Sequence, residues 1–146
     1  MPINTNVKPS DQAVLAATID PDVLTAANHD SDYVDMSNFD AALAIVSMGT
    51  LGSSATVDAD ILEATSSGGA GAQVLKSITQ LTQAGSDDDK QVAINVWSHE
   101  LSEGFTHIAL RITVGTASCD GAGFILGFGA RYQPAADLAS VDEVVG

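Results

Sequence analysis

The chain has 146 residues, 19 Asp+Glu against 5 Lys+Arg, a formal net charge of −14 and one cysteine. The length fits a single domain, the lone cysteine excludes a disulfide scaffold, and the shortage of cations argues against phosphate-mediated nucleic-acid binding. Uncharged apolar runs stay shorter than the roughly 18 residues of a membrane span. Because no secretory signal is recognisable, we expect synthesis in a reducing cytoplasm.

In chain order, the first predicted region is a flexible N-terminal arm over residues 1–9, which are rich in Pro and Asn. The Ala-rich apolar segment Ser10–Ile19 fits either a helix or a strand. Pro21 disfavours helical geometry at Asp20, which predicts a boundary there. The acidic segment Asp22–Asp32 is then predicted to form a surface loop.

From Tyr33 onward the pattern is typical of β-strands. Apolar or alternating runs occupy Phe39–Met48, Thr56–Glu63, Val92–Val96, Ile108–Val114 and Phe124–Phe128, while Gln73–Leu81 is ambiguous with a lean to strand. Segments rich in Gly, Ser and Asp, at 66–71, 85–90 and 115–123, predict turns or connections. The absence of intervening helices favours an all-β fold, an antiparallel, jelly-roll-like β-sandwich over residues 10–134, followed by an acidic tail over 135–146.

Two segments, Ala41–Met48 and Gly123–Ala130, are apolar or glycine on both faces. A sandwich strand normally presents one polar face to water. Two explanations stay open, coverage by another part of the same chain or coverage by a second subunit. Gly127 and Gly129 leave one side of the second segment flat, which favours the close approach of another backbone.

The candidates for catalysis are weak. His29, His99 and His107 have no spacing typical of a metal site. His99 and Glu100 are adjacent and would point to opposite faces of a strand. Cys119 has no nearby cation to lower its thiol pKa, so a small unreactive residue is favoured. We therefore predict no enzyme activity and no cofactor.

Acidic residues offer a possible calcium site. Asp87–Asp89 and the pair Asp58 and Asp60 could supply carboxylate ligands, but the EF-hand spacing is absent. In so acidic a chain, solvated turns are the favoured interpretation, and no metal site is predicted.

The aromatic and cationic residues have structural interpretations. Trp97 and Phe105 are predicted to be core aromatics in preference to a sugar-stacking platform. Arg111 and Arg131 stand out because positive charge is scarce. Each is expected to pair with a carboxylate, either within the domain or across an interface.

The order of segments resembles that of capsid decoration (cement) proteins of tailed bacteriophages and prophages, of the jelly-roll type. The resemblance covers Ser10 to Pro134 and rests on Asp32–Met36, Asn38–Asp40 with the run to Gly49, Val57–Ala64, Ile78–Leu81, Lys90–Val92, Ile108–Val114 and Gly129–Pro134. It implies a homo-oligomer, a trimer, bound to the major capsid protein on the outer surface of the shell. It supplies no catalytic residues.

The interface candidates are two of the scarce cations and three aromatic residues, two within the segment Gly123–Ala130 and one just after it. They are Arg111, Arg131, Tyr132, Phe124 and Phe128. The alternatives are a head-to-tail connector, a head-fibre or tail component of the virion, and a carbohydrate-binding β-sandwich module. The acidity predicts a position facing solvent on the virion, because an acidic subunit is repelled by packaged nucleic acid.

Overall fold

A computed structural model describes residues 4–146, so the part of the predicted N-terminal arm formed by Met1–Ile3 lies outside the described residues. A short helix, α1, at Pro9–Gln12 precedes the strands. The strands are β1 Ala13–Leu24, β2 Asn28–Asp30, β3 Val34–Asp35, β4 Ala41–Leu51, β5 Thr56–Ala64, β6 Gln73–Ser77, β7 Leu81–Thr82, β8 Gln91–Trp97, β9 His107–Gly115 and β10 Cys119–Phe128. Short 3₁₀ turns occupy Met36–Asn38 and Ser98–Glu100.

The strands form two antiparallel sheets. Sheet A has the order β1–β10–β4–β8, and sheet B has the order β2–β9–β5–β6, with β3 beside β9 and β7 beside β5. When β2 with β3, and β6 with β7, are each taken as one interrupted strand, successive strands follow the double Greek-key path of a jelly roll. The predicted all-β antiparallel sandwich is confirmed.

The core lies between the inner faces of the two sheets. Strand β9 alternates as its sequence predicts, so that Leu110 and Ile112 are fully buried and meet Ile125 of sheet A in one cluster. Each such side chain contributes about 1.5–3 kcal/mol by leaving water. A Cβ at Gly123 would lie 2.6 Å from Leu110 Cδ2, so glycine lets the sheets approach closely at this point.

The predicted boundary at Asp20 and Pro21 is wrong. Strand β1 continues to Leu24, and its pairing with β10 shifts register between Ile19 and Asp22. Because β1 is an edge strand of sheet A, a proline at the irregularity can lack an amide hydrogen without breaking the sheet.

The predicted loop Asp22–Asp32 is also partly wrong, because Asn28–Asp30 forms β2 on the edge of β9. The connection predicted over Gly115–Gly123 ends earlier, since β10 begins at Cys119. For Ser10–Ile19 the structure shows both alternatives, a helical turn followed by β1. The lean to strand within Gln73–Leu81 is confirmed by β6 and the start of β7.

The C-terminal tail lies against the open edge of β1. The Leu138 amide donates to the Leu15 carbonyl at 3.1 Å, and the Leu15 amide donates to Asp137 Oδ1 at 2.8 Å. These bonds satisfy edge groups that a free strand would leave open to another chain. Within residues 4–146, no helix has the length and apolar character needed to cross a membrane.

Candidate functional site

The outer face of sheet A is apolar across its central strands. In β4 the inward residues include Ala44 and Val46, which are buried, so that the alternate residues Leu43 and Ile45 point outward and are half-buried. In β10 the inward residue Ile125 is buried, while its outward neighbours are half-buried. The two-faced segments of the sequence are therefore neighbouring strands of one sheet.

The strand register extends this surface over all four strands. Phe124 pairs with Thr18 on one side and Ile45 on the other, and Ile45 pairs with Ala93 of β8. This mostly apolar surface, which also includes one threonine and one asparagine, is called the apolar face. Its residues are Ala13, Leu15, Thr18, Ala41, Leu43, Ile45, Ala93, Asn95, Trp97, Phe124, Leu126 and Phe128. None of these side chains carries a charge.

The apolar face is separate from the core of the sandwich. Its large aliphatic and aromatic members, such as Leu43, Phe124 and Leu126, are not among the partly buried side chains that pack against the core cluster. Gly127 lies on the opposite, inner side of β10, where a Cβ would lie 2.6 Å from the Phe39 ring. The flat side of this glycine therefore receives an aromatic ring, and the predicted approach of another backbone is wrong at this position.

Trp97 lies at the edge of the apolar face. The prediction that it is a core aromatic is wrong, because Trp97 is 48% exposed at the outward position of the edge strand β8. Its amide donates to Glu100 Oε2 at 2.8 Å, and its ring stacks on His99 with centroids 6.1 Å apart. Phe105 is half-buried. The chain thus presents its single tryptophan at the surface.

Glu100 fixes the end of β8 through an ion pair. Lys76 Nζ lies 2.8 Å from Glu100 Oε2 and also donates to the Asn95 carbonyl at 2.6 Å. The hydrogen bond from Lys76 and the bond from the Trp97 amide lower the pKa of Glu100. Lys76 therefore joins the facing edges of the two sheets beside Trp97.

The outer face of sheet B is polar and internally paired. Arg111 forms two hydrogen bonds with Asp30, Nε to Oδ1 at 2.6 Å and Nη2 to Oδ2 at 2.7 Å, between residues paired across β9 and β2. The hydrogen bond to Asp30 raises the pKa of Arg111. Further polar pairs are Thr113 with Asn28, Asp58 with Gln80, and Asp60 with Ser77.

The structure does not bring the five interface candidates together. Phe124 and Phe128 lie on the apolar face, whereas Arg111 lies on the outer face of sheet B. Arg131 and Tyr132 follow β10; the Arg131 amide donates to the Asn38 carbonyl, and Tyr132 is 78% exposed. Of the two alternatives for Arg111, the structure shows the pairing within the domain.

The positive charge of Arg131 contributes to a lowered pKa of Asp35. Partial burial raises the pKa of Asp35, but hydrogen bonds from the side chain and amide of Ser37, and then the charges of His107 and Arg131, outweigh it and lower that pKa. Within residues 4–146 the Arg131 guanidinium forms no ion pair within 4 Å.

Glu63 is a buried, hydrogen-bonded carboxylate that the sequence interpretation did not identify. It is 1% exposed and accepts hydrogen bonds from Gln73 Nε2 at 2.6 Å, Ser102 Oγ at 2.6 Å and the Ser102 amide at 2.8 Å. Burial raises its pKa, but these hydrogen bonds outweigh it and lower the pKa. The sequence could have predicted this group, because Glu63 continues the inward-facing alternation of Val57, Ala59 and Ile61. A carboxylate buried at such a position needs hydrogen-bond partners.

The acidic candidates for calcium are engaged with the protein. Asp87 Oδ2 accepts from the Thr82 amide at 2.9 Å, and Asp88 Oδ1 accepts from the Leu51 amide at 2.8 Å. Both carboxylates therefore order the turn before β8. In the part of the chain that the structure describes, no group of three His, Cys, Asp or Glu side chains is arranged to hold a metal ion.

The residues considered for catalysis are distributed over different elements. His29 lies in β2, His99 in the 3₁₀ turn after β8, and His107 in β9. The Cys119 thiol is buried and donates to the Ala117 carbonyl at 3.7 Å. These four residues therefore lie on separate elements of the fold.

Comparisons with known proteins add one likeness. No protein-family model and no curated protein matches the chain. The fold is similar to a chain in the structure of infectious bursal disease virus Gx strain, with a TM-score of 0.41 and 14% sequence identity. The match covers 86% of this chain and 32% of that chain, so this chain spans about a third of its length. A likeness at this level identifies neither a family nor a function.

Proposed function

We propose that this chain is a structural virion protein that binds the outer surface of a bacteriophage capsid as a homo-oligomer, a trimer, and stabilises it by bridging major capsid protein subunits. The observation that carries the proposal is the apolar face, an uncharged surface that extends over four strands on a chain of net charge −14. The largest apolar patch of a protein is often functional, and protein contact is among the roles such patches serve.

Two further observations agree with this role. Jelly rolls are common in viral capsid and lectin domains, which is an analogy at the level of the fold. The net charge of −14 favours a position on the outside of the shell, since packaged nucleic acid would repel the chain. The resemblance in segment order to phage decoration proteins supplies the particular partner.

The test compares phage particles assembled with and without this protein. We expect particles that lack it to release their genome at a lower temperature, and we expect added purified protein to restore the release temperature. Antibody labelling of intact particles should detect the protein over the whole shell. Equal release temperatures would contradict a stabilising role, and labelling confined to one vertex would instead favour a neck, head-fibre or tail component.

A carbohydrate-binding module is a second candidate, favoured by one observation. Trp97 is 48% exposed and stacks on His99, next to the outward amide side chain of Asn95. Exposed aromatic rings beside hydrogen-bonding side chains can stack on sugars. A glycan array with wild type and Trp97→Ala tests this candidate, and binding that disappears in the variant would support it over the capsid role.

A further inference from the structure

The occupant of the apolar face can be inferred from the charges around it. Carboxylates lie at its margins, with Asp20 and Asp120 towards one end of the sheet, Asp40 at the other end, and Asp137 beside the β1 edge. The outer face of sheet B carries more charges, including Asp58 and the Arg111–Asp30 pair. The apolar face is therefore an uncharged area on a strongly acidic molecule.

We infer that the apolar face is where copies of this chain meet, with the faces converging on the symmetry axis of a homo-oligomer; the inference deepens the proposed function by naming the partner of this surface. Two molecules of net charge −14 repel each other. The repulsion is smallest, and the apolar burial largest, when the uncharged faces are opposed. A contact between this face and another surface of a second copy would place apolar groups against carboxylates.

The size of the surface is consistent with this arrangement. Four strands about 4.8 Å apart, and three outward rows about 7 Å apart, give an area on the order of 400 Å². A stable interface buries about 800 Å² on each partner, with an apolar core and a polar rim. The apolar face would therefore form the core of the contact, and it includes Trp97 and Phe128, aromatic residues of the kind enriched at interfaces.

The effect of salt on self-association distinguishes a contact through the apolar face from an interface held by ion pairs. Raising NaCl from about 0.05 M to about 0.5 M shortens the Debye length from about 14 Å to about 4 Å, which screens the repulsion between acidic chains. We therefore expect salt to strengthen self-association. An interface held by ion pairs of Arg111 or Arg131 would weaken under the same change.

The test combines mass measurement with the emission of the single tryptophan. Sedimentation of the purified chain should show an oligomer that dissociates on dilution, and Trp97 emission should shift to longer wavelength as dilution exposes the ring. Ile45→Asp, at the centre of the face, should weaken association by at least about tenfold because it buries an unpaired charge. Val74→Asp is the matched control, because Val74 is 55% exposed on β6 and lies outside the face.

The outcomes separate this inference from the proposed function. An oligomer lost in Ile45→Asp and kept in Val74→Asp supports the inference, and Trp97 emission of the wild type decides the matter if Ile45→Asp fails to fold. A chain that stays monomeric at all concentrations, or an oligomer unaffected by Ile45→Asp, overturns it. A monomer that still binds and stabilises particles overturns this inference and the homo-oligomer of the proposed function, but keeps the capsid binding, with a capsid subunit as the occupant of the apolar face. An oligomer that does not bind particles supports this inference and contradicts the capsid binding.

Discussion

Sheets A and B are built from the same antiparallel strands and enclose the same core, yet their outer faces differ. On sheet B the outward groups pair with one another, as Arg111 does with Asp30, and the outward apolar residues Leu62 and Ala109 are buried. On sheet A the residues of the apolar face are uncharged, and side chains such as Phe124 and Ile45 remain half-buried outside the core. In the proposed assembly, the outer face of sheet B stays in water, whereas the apolar face of sheet A lies against another protein surface.

The largest expected effect concerns the buried polar group of sheet B. Replacing Glu63 with Ala removes the acceptor for Ser102 and Gln73 in a buried position. Gln73 and Ser102 are themselves exposed and can bond to water in the variant, so the loss comes from the hydrogen bonds to the charged acceptor. We expect a loss of about 2 kcal/mol in the free energy of unfolding. Chemical denaturation measures the change, and Glu63→Gln, which keeps an acceptor oxygen and the side-chain volume, should lose less.

The pH dependence gives the control for this prediction. The folded-state pKa of Glu63 is lowered from its ordinary value of 4.5, so its contribution is present above pH 4.5 and is lost as pH falls through the folded-state pKa. The stability difference between wild type and Glu63→Gln should therefore shrink below pH 4.5. Asp35 and Glu100, whose pKa values are also lowered, are present in both proteins. A difference that stays constant across this range would contradict the role given to the Glu63 carboxylate.

The smallest expected effect concerns the polar surface of sheet B. The side chains of Arg111 and Asp30 are 31% and 37% exposed, so water screens their ion pair. Arg111→Met should cost less than about 1 kcal/mol and leave the oligomeric state unchanged. Thermal unfolding and sedimentation measure both quantities. A variant that unfolds normally but no longer associates would place Arg111 in an interface and would remove the distinction between the two outer faces.

Much of this contrast was accessible from the sequence. The period-two alternation of Ile108–Val114 and the two apolar faces of Ala41–Met48 and Gly123–Ala130 predicted the sandwich and its unusual strands. The pairing of those two segments in one sheet, and the extension of the surface to Trp97, depend on strand order and register. These arise from contacts between residues far apart in the chain, and no local pattern records them.

Other features escaped prediction because tertiary contacts overrode the local signals. Strand β2 is a polar three-residue segment, Asn28–Asp30, with no hydrophobic pattern, and it forms because β9 offers a free edge. Pro21 signals a break, yet edge position and a register shift accommodate it within β1. Glu63 could have been identified from its inward position in an otherwise apolar alternation, although its partners Gln73 and Ser102 could not.

The central claim is that the apolar face is covered by protein in the working assembly while the outer face of sheet B stays in water. The most direct measurement compares maleimide labelling of Ala93→Cys, at an exposed position of the apolar face, with Asn28→Cys, at an exposed position of sheet B. The native Cys119 is buried and should react slowly in both. We expect the Ala93→Cys thiol to be protected in the oligomer or on particles relative to dilute chain, and the Asn28→Cys thiol to react equally in all states. Equal labelling of the Ala93→Cys thiol in all states would contradict the claim.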